Sequence, residues 1–221
     1  MIDIENYISR LIALLQDQFG SRLVYVGLQG SYLRGEATDH SDIDIMVVMD
    51  KLTISDMDQY RAIIQSLECA DKSCGFICGK SDLANWNPLE IAHVLNSTKD
   101  YLGVLRDLVP AYTQEDLCNF IKLSLNNLYH EICHRYIHAD SGRNCMALPG
   151  TYKSVFYILQ NWYYLKYGKF VATKNELLFL LDGQSHAVLK RSIELNSGID
   201  HDFTESFALL FDWCQEILQS L

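Results

Sequence analysis

The segment "DIDIMVV", residues 42–48, constrains this chain more than any other. It is an apolar run rich in β-formers with two aspartates at its start. On a strand, residues two apart face the same way, so Asp42 and Asp44 share one side while Ile43 and Ile45 take the other. That spacing sets the stems of the two side chains roughly 6 to 7 Å apart. Two negative charges at the edge of a hydrophobic strand repel unless a cation or solvent screens them, and a divalent metal is the natural screen.

A second β-rich run, "RLVYVGL", ends at Gly27 and leads into Gly30-Ser31. A strand that ends in Gly-Ser and turns straight into a short helix presents backbone N–H groups at the turn, a ready phosphate cradle. Gly30 lets a phosphate approach, Ser31 adds a hydroxyl, and Gly35 lets the chain fold back to the Asp42–Asp44 strand.

Around these runs the pattern alternates. "IENYISRLIALLQDQF" has helical spacing, "SDMDQYRAIIQSLE" predicts a helix, and "SCGFICG" and "NPLEIAHVLNS" are further strand candidates. The first half is therefore expected to be α/β, a small mixed sheet with helices. Pro110 marks the expected boundary, giving domains 1–110 and 111–221. Beyond it the spacing predicts helices over 114–139, 150–167, 174–182, 185–196 and 202–220, an all-α bundle. Thr113, with Glu115 and Asp116 in the first turn, starts the first of them.

Composition narrows the function. A formal charge of −10 argues against binding nucleic acid through its phosphates and suits a cationic substrate. Seven cysteines without a CxxC pair are expected to be reduced thiols. No apolar run is long enough for a bilayer, and "MIDIENYISR" has acidic residues where a signal peptide has basic ones, so the expected location is the cytoplasm, away from membranes.

Taken together, "GSYLRGEATDHSDIDIMVV" resembles the G-S-x-x-x-G and D-x-D motifs of the DNA polymerase beta nucleotidyltransferase superfamily. The resemblance implies transfer of a nucleoside monophosphate from a nucleoside triphosphate to a hydroxyl or similar acceptor, with magnesium as cofactor. Gly30 and Ser31 would hold the triphosphate; Asp42 and Asp44 would be the catalytic metal carboxylates. The superfamily usually adds a third carboxylate from a later strand, yet "SCGFICG" has none, and Asp71, Asp82 and Glu90 are the alternatives nearby.

The helical half, "TYKSVFYILQNWYYLKYGKFVATKNELLFLL", is similar to the C-terminal region of antibiotic-modifying adenylyltransferases. That likeness implies ATP as the donor, Lys174 as a phosphate contact with Lys153 behind it, and Glu131 as general base on the acceptor hydroxyl. It also implies a small, polyhydroxylated cationic acceptor, an aminoglycoside for example, bound in a cleft between the domains. The rival readings are a protein side chain as acceptor, as in antitoxin-type relatives, and a nucleotide-binding module that has lost catalysis.

Two other features have plainer explanations. Phe156, Leu159, Tyr163 and Tyr167 fall at helical spacing and are expected to pack, although with Trp162 they could form a stacking surface. His130, His134 and His138 recur every four residues beside Cys133, but one helix supplies no fourth metal ligand. Arg135 and His138 do not match the Arg-to-His spacing of the helical ribonuclease partners of minimal nucleotidyltransferases, so no RNase activity is expected.

Overall fold

The computed structural model describes residues 2–221, which divide into two compact units, 2–112 and Thr113–Leu221. In the first, α1 (Ile4–Phe19) leads to β1 (Leu23–Leu28), a one-turn helix α2 (Gly30–Arg34) and β2 (Ile43–Met49). Then come α3 (Ile54–Ser66), β3 (Ser73–Gly79), α4 (Lys80–Ala84), α5 (Pro88–Asn96) and β4 (Lys99–Leu102). The four strands form a mixed sheet in the order β3-β2-β1-β4. β1 runs antiparallel to both β2 and β4, whereas β3 is parallel to β2.

Both faces of this sheet are covered, which explains why β2 reads as a continuous apolar run rather than an alternation. Ile43, Ile45, Val47 and Met49 pack with Ile8, Leu11 and Leu15 of α1. Met46 and Val48 point to the other side, among Tyr25, Leu83, Leu105 and Leu108. Asp44 shares that second side by period. It is the first residue of the row Asp44, Met46, Val48, where the apolar cover gives out.

A polar tie supports the same layer. Asp56, only 4% exposed, accepts from Arg22 Nη1 at 2.8 Å and Nη2 at 2.9 Å. It also closes a capping box with Thr53 at the start of α3. Arg22 further bonds Asp50 and the Lys51 carbonyl, so one guanidinium ties the entry of β1 to the β2–α3 turn.

The second unit comprises α6 (Gln114–His138), α7 (Ser141–Tyr167), α8 (Lys174–Leu180), α9 (Gly183–Asn196) and α10 (Phe203–Ser220). α6 buries Leu117, Ile121, Leu125, Leu128 and Ile132, one stripe at three- and four-residue steps. α7 is the central helix: Tyr152, Val155, Phe156 and Leu159 are buried. The Tyr152 hydroxyl donates to the Ser206 carbonyl at 2.7 Å, tying α7 to α10. A small mixed sheet with helices followed by a helical unit is the architecture that the sequence pattern predicts.

Three local expectations are corrected. "NPLEIAHVLNS" is the helix α5 and not a strand: Asn87 caps it by accepting from the Leu89 N–H, and Pro88 occupies its first turn, where a missing donor is harmless. The fourth strand is instead the short β4, too polar and brief to stand out by pattern. The helix expected from 150 begins at Ser141 and carries Pro149 inside it; Asp140 caps the earlier start by accepting from the Arg143 N–H. Asp42 lies one residue before β2 begins, exposed, with only Asp44 inside the strand.

Candidate active site

Gly30 opens α2 with φ of 70°, in the left-handed region. A Cβ there would stand 1.9 Å from Asp44 Oδ2. The Gly-Ser turn and the second aspartate are thus in direct contact across the β1–β2 pair, and the Gln29 N–H donates to the Asp44 carbonyl at 2.9 Å. A side chain at position 30 would occupy the carboxylate's place. Gly35 caps α2, with φ of 68° and its N–H donating to the Ser31 and Tyr32 carbonyls. In contrast to Gly30, nothing lies within 4 Å of a Cβ built on it. Ser31 lies in the first turn of α2, half-buried, where N–H groups have no partner inside the helix itself.

The electrostatics of Asp44 fit this crowding. Burial pushes its carboxyl above the ordinary range and the Asp42 carboxylate adds to the push, while the Arg34 guanidinium and a hydrogen bond from the Cys74 thiol act against it. Arg34 itself is paired with Glu36 at 2.9 Å. Lys72, just ahead of β3, donates to the Asp39 carbonyl and so holds the loop that leads to Asp42.

Two carboxylates at the mouth of a turn that lacks a Cβ suit a hard divalent cation shared with phosphate oxygens. No carboxylate joins them from β3: the residue in register with Asp44 is Cys74. The three alternative acids all lie outside β3. Asp71 is in the 3-10 turn before β3, Asp82 accepts from the Gly79 N–H at 3.1 Å, and Glu90 accepts from the Trp86 indole. Among the described residues, no three His, Cys, Asp or Glu side chains gather as a ready metal cage.

Residues 8–75 match the family model described as "Nucleotidyltransferase domain". That stretch of the first unit is similar in sequence to a nucleotidyltransferase domain. Its curated relative in Methanocaldococcus jannaschii, MJ1379, is named as a candidate protein adenylyltransferase and is 35% identical over 66 residues, 30% of this chain. The chain spans 64% of the length of that relative. Across 97% of this chain and 99% of the other, the fold resembles the spectinomycin adenyltransferase AAD(9) of Enterococcus faecialis, solved with ATP and spectinomycin. The TM-score is 0.60 at 16% identity, a likeness of fold.

The candidates in the second unit occupy ordinary helical positions. Glu131 pairs with Arg135 at 3.0 Å and accepts from the Thr151 hydroxyl at 3.2 Å. Lys174 is the first residue of α8, half-buried, with Nζ 5.8 Å from the Phe156 ring centroid. Thr173 caps α8 by accepting from the Glu176 N–H, and the Glu176 carboxylate pairs with Lys169. Lys153 is exposed. Phe156 and Leu159 are buried as packing residues, whereas Tyr167 is 55% exposed and, with Trp162, lies under the Lys166 ammonium. His130, His134 and His138 form an exposed ladder of rings on α6. No helix among the described residues is long and apolar enough to cross a membrane.

Proposed function

We propose that this chain transfers AMP from ATP to a hydroxyl of a small-molecule acceptor, with magnesium as cofactor. The observation that carries the proposal is the contact between Gly30 and Asp44. A phosphate-binding turn and a metal carboxylate are useful to one another only when adjacent, and here the missing Cβ is what makes room for both.

In this reading the backbone at Gly30 and the Ser31 hydroxyl hold the triphosphate. Asp42 and Asp44 hold magnesium, which when bound supplies positive charge against the phosphate oxygens. Arg34 keeps cationic charge beside Asp44 and restrains its protonation. Glu131 takes the proton from the acceptor hydroxyl; its bonds to Arg135 and Thr151 orient it and leave further acceptor capacity on the carboxylate. Lys174 contacts the triphosphate. The net charge of −10 and the spectinomycin of AAD(9) support a polyhydroxylated, cationic acceptor of the aminoglycoside kind.

Pyrophosphate release from ATP and magnesium, measured across a panel of aminoglycoside and other polyol acceptors, tests the proposal. Release should require one class of acceptor and disappear in Asp42→Asn/Asp44→Asn. Binding of ATP without release on any acceptor would sink it in favour of a nucleotide-binding module. A protein side chain as acceptor is the second reading, supported by the name of the MJ1379 relative; labelled AMP appearing on a protein and on no small molecule would select it.

A further inference from the structure

Asp42 stands one residue outside β2, so the ladder that fixes Asp44 stops short of it: the register of β2 with β3 begins at Ile43 and Ser73. The turn ahead of Asp42 takes over. Residues 38–41 close on themselves, the Ser41 N–H donating to the Thr38 carbonyl at 3.0 Å, the Thr38 N–H to Ser41 Oγ at 2.9 Å and the His40 N–H to Thr38 Oγ1 at 3.3 Å. A turn closed in this way moves as one piece, and Asp42 moves with it. Its carboxylate is close enough for Asp44 to feel its charge.

Lys72 meets this turn from the neighbouring strand. It precedes Ser73 as Asp42 precedes Ile43, and its ammonium reaches the backbone carbonyl of Asp39. A lysine bonded to a carboxylate neutralises it; one bonded to the carbonyl holds the turn and leaves the carboxylate's acceptor sites open. The lysine's own backbone is fixed. Its N–H donates to the Cys69 carbonyl at 2.9 Å, and Cys69 is held at φ of 60°, a conformation that a residue with a Cβ keeps only where its surroundings impose it. The Ser73 hydroxyl in turn is hydrogen-bonded to the hydroxyl of Tyr7, which is buried in α1.

We propose that Lys72 is a positioning residue for Asp42: by tying the 38–41 turn to the anchored start of β3, it sets the Asp42 carboxylate beside Asp44 before magnesium binds. The inference rests on the assignment of both aspartates to that ion. A carboxylate already in place loses less freedom on binding than one carried by a loose turn, so the tie raises magnesium affinity without touching metal or nucleotide.

Two measurements on the full chain test this, and only one involves ligand. Hydrogen exchange on the metal-free protein should be ~10-fold faster at amides 39–42 in Lys72→Met, with the β2 amides 45–48 unchanged. Equal exchange at 39–42 would overturn the proposal. The second measurement is calorimetric titration of ATP with and without magnesium. Lys72→Met should weaken the magnesium-dependent binding by ~10-fold or more, as loss of a residue that orients a ligand does, while metal-free ATP binds as to the wild type. Damage to the fold at large would lower both together and count against a positioning role. Lys72→Arg, which keeps the charge and the donor, should retain the wild-type values. Ser41→Ala opens the turn itself; it should weaken magnesium binding likewise and add little on top of Lys72→Met, because the two act through one turn. Effects that add in full would overturn the proposal. If magnesium strengthens ATP binding equally in wild type and Lys72→Met, the positioning role falls and the functional reading stands. If exchange quickens as stated but magnesium never alters ATP binding, Lys72 holds the turn and the functional reading falls.

Discussion

The two units differ in how tightly their backbones dictate where chemistry can sit. In the first, an antiparallel register and one glycine in the left-handed region bring Gly30 against Asp44. In the second, Glu131 and Lys174 are members of helix surfaces, and each already has a partner within the bundle. A strand pair with a tight turn specifies a site; a helix face offers a choice of sites.

The sharpest way to break the comparison uses the two glycines that flank α2. Both have positive φ, but only Gly30 has a carboxylate where its Cβ would go. Gly30→Val should abolish ATP binding, because a β-branched residue is strained at that φ and must also expel the Asp44 side chain. Gly35→Ala should cost about 1–2 kcal/mol of stability from the left-handed backbone alone and leave ATP binding in place. Calorimetric titration with ATP and magnesium, beside thermal melts, checks both. Equal losses of affinity would mean that the turn needs flexible glycines and not an open approach to Asp44.

Next in size is a test of what holds the sheet unit together. Asp56 is held well below the usual carboxylate range, chiefly by its hydrogen bonds from Arg22 and then by those from Thr53. A depressed carboxyl contributes stability that is fully present above the unfolded value, about 4, and is lost as pH falls towards the folded value. Asp56→Asn should therefore lower Tm clearly at neutral pH, with the gap to wild type closing as the pH drops below about 4. The bundle's tie through Tyr152 has no such charge, so Tyr152→Phe should cost about 1 kcal/mol with little pH dependence across the same range. A pH-independent gap for Asp56→Asn would show that the capping box matters there and the ion pair does not.

These outcomes bear on how much was legible beforehand. β1 and β2 could be read because both faces of the sheet are buried, which gives unmistakable apolar runs. α5 was misread because Ile91, Ala92, Val94 and Leu95 suggest a short apolar strand, although Asn87-Pro88 is a cap-and-first-turn signal that points to helix. β4 escaped because Lys99–Leu102 is an edge strand with little burial to shape its composition. The early start of α7 was hidden by Pro149 and Gly150, a pair that normally ends helices. Within the site, the D-x-D pair and the Gly-Ser turn stood out by type and spacing. The contact of Gly30 with Asp44 and the register that sets Cys74 beside Asp44 did not, since a seven-residue apolar run says nothing about which of its members faces a given neighbour.

A smaller effect, of opposite sign, is expected at the aspartates themselves. Asp44 is raised by burial and then by Asp42, so the folded state disfavours its ionised form. A raised carboxyl subtracts stability above its unfolded value of about 4 and ceases to do so at lower pH. Asp42→Asn/Asp44→Asn should thus hold or raise Tm in metal-free buffer at neutral pH, the gain fading on acidification. The magnesium–ATP shift of the wild type should vanish in the variant, because a ligand that binds only the native state stabilises it by mass action. A variant that melts much lower without metal yet keeps the full shift would make the two aspartates structural.

The smallest effect on stability is expected at Lys174, and it decides whether the second unit takes part in the chemistry. Its ammonium over the Phe156 ring contributes about 0.5–1 kcal/mol. Its place in the first turn of α8 opposes the helix dipole by a similar ~0.3–1 kcal/mol. The two nearly cancel, so Lys174→Ala should leave stability within about 0.5 kcal/mol of wild type, as at an ordinary surface position. A lysine that contacts the triphosphate loses a charge-assisted hydrogen bond when truncated, about 1.5 kcal/mol or more, and KM for ATP should rise by about 10-fold. Lys153→Ala, at an exposed position on α7, serves as the control and should change neither. If both variants keep the wild-type KM and full turnover, the α8 lysine is a packing cation, and the phosphate contacts must come from elsewhere.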